Sequence, residues 1–165
     1  MEGDKMSQGR FLDTLSKRVQ LFSNLNDVLI QQQHALINGE SRQIHHFAET
    51  ELKCMEEIHQ VETQWDELIQ KFRNQMNQPE ATTENIASYF LDIKSIPVAL
   101  EKLENLKMLA EEITITKRNN ALLLHNSISL IRNTLKFLQG NRPADSFYSL
   151  RRQTYNKNII LNKKL

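Results

Sequence analysis

The sequence predicts an all-α protein. The expected form is an elongated antiparallel bundle of three long helices plus one short helix, with coiled-coil-like packing and a flexible C-terminal tail. Three observations predict it. Gly and Pro are scarce, at 4 and 3 of 165 residues, so sharp turns are few and helices must run long. Ala, Leu, Lys, Glu, Gln and Asn dominate, while β-branched alternation is rare. Finally, the stretch from Pro97 to Gly140 contains no internal Pro or Gly. Apolar or small residues recur in it at Leu103, Leu106, Ala110, Ile113, Leu124, Ser127, Ile131 and Leu138, with Lys117, Asn120 and Thr134 filling the missing beats. Steps of three and four mark one side of a helix, here about 60 Å long, and such a stripe cannot bury itself.

Each element follows in order. Residues 1–9 are polar, carry two Gly and read as a flexible N-terminus. The first helix spans about 10 to 38, with Leu12, Leu15, Val19, Phe22, Leu29 and Leu36 on its seam and Asn26 and Gln33 on two of its beats. Asn38-Gly39 ends it, because Gly accepts the left-handed backbone that closes a helix. Ser41 is the expected cap of the second helix. That helix carries a wide stripe, including Ile44, Phe47, Met55, Ile58, Val61, Trp65, Ile69 and Phe72, broad enough to touch two neighbours. The short turn between them predicts an antiparallel hairpin. Pro79 lies in the connection that follows. Thr83 then caps a short helix over 84–94, with Ile86, Tyr89, Phe90 and Ile93 turned inward. Pro97 suits the first turn of the long rod, and Gly140 stops it. The bundle is thus expected over 10–140, followed by a basic amphipathic tail over 141–165.

Charge and cysteine content narrow the function. Net charge is +1, which gives no bulk electrostatic case for nucleic acid. Residues 140–165 hold a net of +5, which leaves the remainder at −4. Such an end is either a solvated tail or a docking segment. The single Cys54 excludes an internal disulfide and fits a reducing compartment. No apolar run reaches the eighteen residues a membrane span needs, and no secretory leader is visible at the start.

Catalytic chemistry finds little support. The sequence lacks a phosphate-cradling Gly loop, a Ser elbow and a Cys-x-x-Cys pair. Glu56 and His59 fit the Glu-x-x-His spacing of helical di-iron sites, but the second pair those sites need is missing. Trp65 reads as a core anchor. The polar beats Asn26, Gln33, Lys117 and Asn120 have two readings: they fix register at a cost in stability, or they mark an open groove that a partner fills. Past Gly140, Phe147 and Tyr148 lie beside Leu150, Arg151 and Arg152, with Ile159, Ile160 and Leu161 further on. Tyr and Arg are favoured binding anchors, so this segment is a candidate docking motif; the alternative is that its aromatics fold back on the bundle.

Several features in sequence resemble the FlgN-like family of flagellar export chaperones. They are the helix closing at Asn38-Gly39-Glu40, the Glu-rich second helix from Glu51-Leu52-Lys53, the short linker helix, the run Lys117-Arg118-Asn119-Asn120-Ala121-Leu122-Leu123, and Gly140 followed by Tyr148 and Gln153. The overlap covers roughly residues 10–155. Ala121 and Arg152 stand where the family often has Gly.

The resemblance implies an all-helical cytosolic chaperone of type III (flagellar) export, with no enzyme activity and no cofactor. It implies binding to the C-terminal helices of hook-associated (hook–filament junction) proteins and delivery to the cytosolic domain of the membrane export gate. Neither nucleic acid nor membrane insertion is part of that role. Tyr148 matches the gate-docking tyrosine, and the segment from about 141 on matches the region that engages substrate. Partner binding is therefore expected at Asn120, Phe147, Tyr148, Leu150, Arg151, Arg152, Ile159 and Ile160. The rival reading from the residues alone is a structural coiled-coil scaffold whose rods associate with themselves.

Overall fold

Two left-handed residues close the long helices of the first half. Gly39 adopts φ 71°, and the N–H groups of Gly39 and Glu40 donate to the carbonyls of Leu36 and Ala35. This is a Schellman closure, which satisfies carbonyls that the helix end would leave bare. Asn77 repeats it at φ 55°, with the Asn77 and Gln78 N–H groups donating to Asn74 and Arg73. Asn is one of the few residues that tolerate this backbone.

The computed structural model describes residues 2–139, with side chains from Gln8 onward. Four helices follow one another: α1 (Glu2–Asn38), α2 (Ser41–Met76), α3 (Thr83–Phe90) and α4 (Ile96–Leu138). The architecture is all-α, with long helices packed on one another. The chain divides into two compact units, Met1–Leu124 and His125–Leu165.

In the first unit, α1 and α2 form the antiparallel hairpin that the short turn predicts. Phe11 meets Trp65 and Phe72, Arg18 meets Glu62, and Gln32 meets Glu51, so positions rise on one helix as they fall on the other. The backbones of these two helices approach closely along their length, whereas α4 stays farther from both. The α4 helix runs parallel to α1, because Asn26 pairs with Glu112 and Leu29 with Asn120.

Two hydrophobic clusters hold the unit together. The first gathers Phe11 and Leu15 from α1, Trp65, Ile69 and Phe72 from α2, Ile86 and Ala87 from α3, and Ala99, Leu103 and Leu106 from α4. Its rings pack at centroid distances of 5.0 Å (Phe11–Trp65), 6.0 Å (Phe11–Phe72) and 4.4 Å (Phe72–Phe90). Trp65 is thus the core anchor its position predicts, and the Arg18 guanidinium lies over its ring at 4.4 Å while binding both oxygens of Glu62. The second cluster is aliphatic: Leu21, Leu25, Leu29, Ile58, Val61 and Ile113. In the second unit the described part of α4 leaves Ile128, Leu130, Ile131, Leu135, Phe137 and Leu138 exposed.

Several local expectations are corrected. Helicity begins at Glu2 rather than near residue 10. The apolar pattern starts only at Phe11, and such a pattern marks burial, not the onset of helix. Ser41 is the first residue of α2, not its cap; Glu40 holds the cap position and makes no side-chain bond there. The Schellman closure already sets the chain's path at this turn. Thr82, not Thr83, caps α3, its hydroxyl accepting the Asn85 N–H at 3.2 Å.

The α3 helix also stops at Phe90, four residues short of the expected end, because Leu91 turns extended. The Ser95 N–H then donates to the Asp92 carboxylate at 3.0 Å and leads into α4. Pro97 falls in the first turn of α4, as expected. Ile93 therefore lies past the helix and is 88% exposed. Tyr89 is 67% exposed, since eight residues offer one inner face and Ile86, Ala87 and Phe90 take it.

Candidate functional site

The long α4 seam is not one stripe but two, and they fare differently. Ala99, Leu106, Ile113 and Asn120 form a row at seven-residue spacing, and all four are buried. The neighbouring row is Leu103, Ala110, Lys117 and Leu124. Leu103 is 8% exposed, but the three residues beyond it are exposed, Leu124 to 45%. Leu103 shares its cluster with Ile86 and Ala87 of α3, and one turn on Lys107 pairs with Glu84 of α3 at 3.4 Å. Among the described residues, the second row is covered only where α3 lies. On α2 the row through Ile69 behaves alike: Ile69 is buried, Glu62 half-buried, and Met55 and Ala48 exposed.

Where the cover ends, a pocket of about 250 Å³ opens between α2 and α4. Its floor is α1, through Leu29, Gln32 and Leu36; its walls are Ile44, Ala48 and Glu51 of α2 and Lys117, Asn120, Ala121 and Leu124 of α4. A larger depression of about 810 Å³ is lined by Asp66, Glu67, Gln70, Lys71, Asn74 and Gln75. All of those are polar and come from α2, so among the described residues no second element converges on it.

A chain of hydrogen bonds crosses the floor of the groove. The Lys117 ammonium lies 2.9 Å from Glu51 Oε1, and Gln32 Nε2 donates to Glu51 Oε2 at 3.2 Å. Asn120 Nδ2 donates to Gln32 Oε1 and to the Leu29 carbonyl, both at 2.9 Å. These contacts tie all three long helices together through polar groups where apolar packing thins. Asn120 is 5% exposed, and its Oδ1 is buried with no hydrogen-bond partner among the described residues. A second seam amide, Asn26, donates to Glu112 at 2.9 Å and leaves its own Oδ1 equally unpaired.

Both readings of the polar beats thus find support at one place. Asn120 fixes α4 against α1, and the same residue lines an open groove. Nearby, burial raises the pKa of the Cys54 thiol, with the Glu57 and Glu51 carboxylates adding to the rise, so this thiol stays protonated and packs as an apolar group.

Of the partner-binding residues expected from sequence, Asn120 lies in this groove. Phe147, Tyr148, Leu150, Arg151, Arg152, Ile159 and Ile160 lie outside the described residues. Sequence reasoning did not single out Gln32, Ala48, Glu51 or Ala121 as site residues. One signal was available: Glu51 is the lone charge in the row Ile44, Glu51, Ile58, Trp65 and Phe72. Glu56 and His59 are both exposed, and among the described residues no three His, Cys, Asp or Glu side chains group to hold a metal ion.

The arrangement can therefore bind apolar side chains over an internally paired polar floor. Among the described residues, no helix is long and apolar enough to cross a membrane. Comparison with curated proteins and with solved structures gives no significant match. A family model described as FlgN protein matches residues 6–156, and by that match the chain belongs to the FlgN family of flagellar export chaperones.

Proposed function

We propose that the chain is a cytosolic, non-enzymatic chaperone of type III (flagellar) export. It binds the C-terminal helices of hook–filament junction proteins, keeps them from associating prematurely, and delivers them to the cytosolic domain of the export gate. The observation that carries this reading is the apolar face that the described part of α4 leaves open in the second unit, at Ile128, Ile131, Leu135 and Leu138. A partner helix that would otherwise self-associate can bury its apolar face there. The basic segment over 141–165 supplies the rest of the capture surface, through Phe147, Leu150, Arg151, Arg152, Ile159 and Ile160. Tyr148 docks on the gate, and Asn120 takes part in partner binding.

Two variants test the division of labour in pull-downs with a junction protein and with the gate domain. Deletion of 141–165 should leave the bundle folded and abolish capture of the junction protein. Tyr148→Ala should keep that capture and lose the gate. Undiminished substrate binding by the truncated chain, or undiminished gate binding by Tyr148→Ala, overturns the corresponding assignment.

A further inference from the structure

Three weaknesses coincide in the middle of α4, over residues 111–120. The first is packing. Near its start α4 buries Ala99, Leu103 and Leu106 in the ring cluster beside α3. In the aliphatic cluster it supplies Ile113 alone; Leu21, Leu25 and Leu29 come from α1, and Ile58 and Val61 from α2. The α1 and α2 backbones also approach each other more closely than either approaches α4. Most of that cluster is thus made within the hairpin, and Ile113 is the one member that α4 contributes.

The second weakness is unmet polarity. Asn26 and Asn120 meet the α1–α4 seam on either side of Ile113, and each buries an Oδ1 with no hydrogen-bond partner among the described residues. A buried acceptor without a partner costs free energy that water returns when the seam opens. Opening breaks the bonds from Asn26 to Glu112 and from Asn120 to Leu29 and Gln32. Those are exchanged for bonds to water, so they hold the seam only modestly.

The third weakness is the helix itself. Ile113, Thr114, Ile115 and Thr116 are four β-branched residues in a row, and Asn119 and Asn120 follow. β-Branched side chains lose rotamer freedom against the preceding turn, and Asn competes for backbone groups, so both are weak helix formers. The Thr114 hydroxyl donates back to the Ala110 carbonyl at 2.8 Å, a contact that slightly destabilises and bends helices. A helix of such residues depends on packing to persist, and packing is what this stretch lacks.

We propose that α4 opens locally over residues 111–120: the stretch leaves the α1–α2 hairpin and unwinds while α4 stays docked at the α3 end. Ile113 is the latch. Opening releases Asn26 and Asn120 to water and uncovers the apolar cluster that Ile113 caps. This device goes beyond the export-chaperone reading and does not depend on it.

Amide hydrogen exchange of the full chain, read by mass spectrometry on peptic fragments, tests it. After correction for intrinsic rates, amides over 111–120 should exchange at least about tenfold faster than those over 99–106 of the same helix. Low urea should leave the first group nearly unchanged and speed the second, because a local opening exposes little surface. Ile113→Ala should speed exchange over 111–120 on the order of tenfold and leave 99–106 unchanged. Thr114→Ala alters an exposed side chain outside both clusters, so its folding is not at issue. It should slow exchange over 111–120 about threefold by raising helix propensity. Uniform protection across 99–120 with one shared urea dependence overturns the proposal, because α4 would then open only as the whole unit unfolds. An Ile113→Ala acceleration spread equally over α1, α2 and α4 overturns it too, as does unchanged exchange in Thr114→Ala.

Discussion

At the α3 end of the first unit four helices feed one core; at the Gly39 end three helices face a groove. The first end stacks Phe11, Trp65, Phe72 and Phe90, rings that each remove a large apolar area from water. The second end replaces rings with aliphatics, then with Asn120, Gln32, Glu51 and Lys117 joined in a line. The same two rows of α2 and α4 run through both ends, so the difference is made by a third party, the eight residues of α3. Stability is concentrated where α3 covers the seam. Available surface is concentrated where it does not. A chaperone needs both, and here they are separated along one pair of helices.

The widest gap between the two ends should appear on truncating a side chain in each. Phe72 is almost fully buried at the α3 end, and Phe72→Ala should cost about 3–5 kcal/mol of unfolding free energy. Leu124 at the groove is half exposed, and Leu124→Ala should cost under about 0.5 kcal/mol while reducing partner affinity. Urea denaturation of both variants measures the contrast. Equal costs would break the comparison, because the groove would then be core.

A smaller effect sharpens what the polar floor is for. Asn120→Ala removes two hydrogen bonds and leaves a void, and should cost about 2 kcal/mol. Asn120→Leu also removes the bonds, but it eliminates the buried, unpaired Oδ1 and refills the space. It should return to within about 1 kcal/mol of wild type. If leucine is as damaging as alanine in urea unfolding, the amide is essential to stability and not chiefly a register device.

Much of this contrast could be read from the residues, and the part that could not has a definite cause. Long helices, the closure at Asn38-Gly39, the break at Pro79 and the burial of Trp65 all follow from spacing and from backbone chemistry that acts within a few residues. The α4 seam was legible as a stripe, but a stripe of alternating threes and fours holds two rows, and nothing in it says which is covered. Lys117 and Asn120 are successive beats of that stripe; one is exposed and the other buried. What separates them is the neighbour each meets: Asn120 bonds to Leu29 and Gln32 of α1, whereas Lys117 lies on the row that is buried only beside α3. Two adjacent threonines compete to cap that helix, and local sequence does not favour Thr82 over Thr83. The groove walls are harder still. Ala48 and Ala121 matter by being small, and alanine in a helix carries no signal of its own.

The smallest expected effect bears on what holds α3 in place. The Glu84 carboxyl is held below the ordinary glutamate range, chiefly by its own backbone N–H, with the Thr82 hydroxyl and the Lys107 ammonium contributing and burial opposing. A depressed carboxylate lends stability that is fully present above its unfolded value and lost as pH falls through the lower folded value. Glu84→Gln should therefore lower unfolding free energy modestly at neutral pH, and the gap from wild type should close as the buffer is taken well below pH 4. Both partners are substantially exposed, and Lys107 also reaches Glu104 at 3.6 Å, so solvent screening keeps the gap small. A gap of constant size at every pH would mean that the glutamate side chain acts through packing and not through its charge. In that case α3 is held over the seam by Ile86, Ala87 and Phe90, and the boundary between the closed end and the groove end is drawn by apolar contact rather than by the Glu84–Lys107 pair.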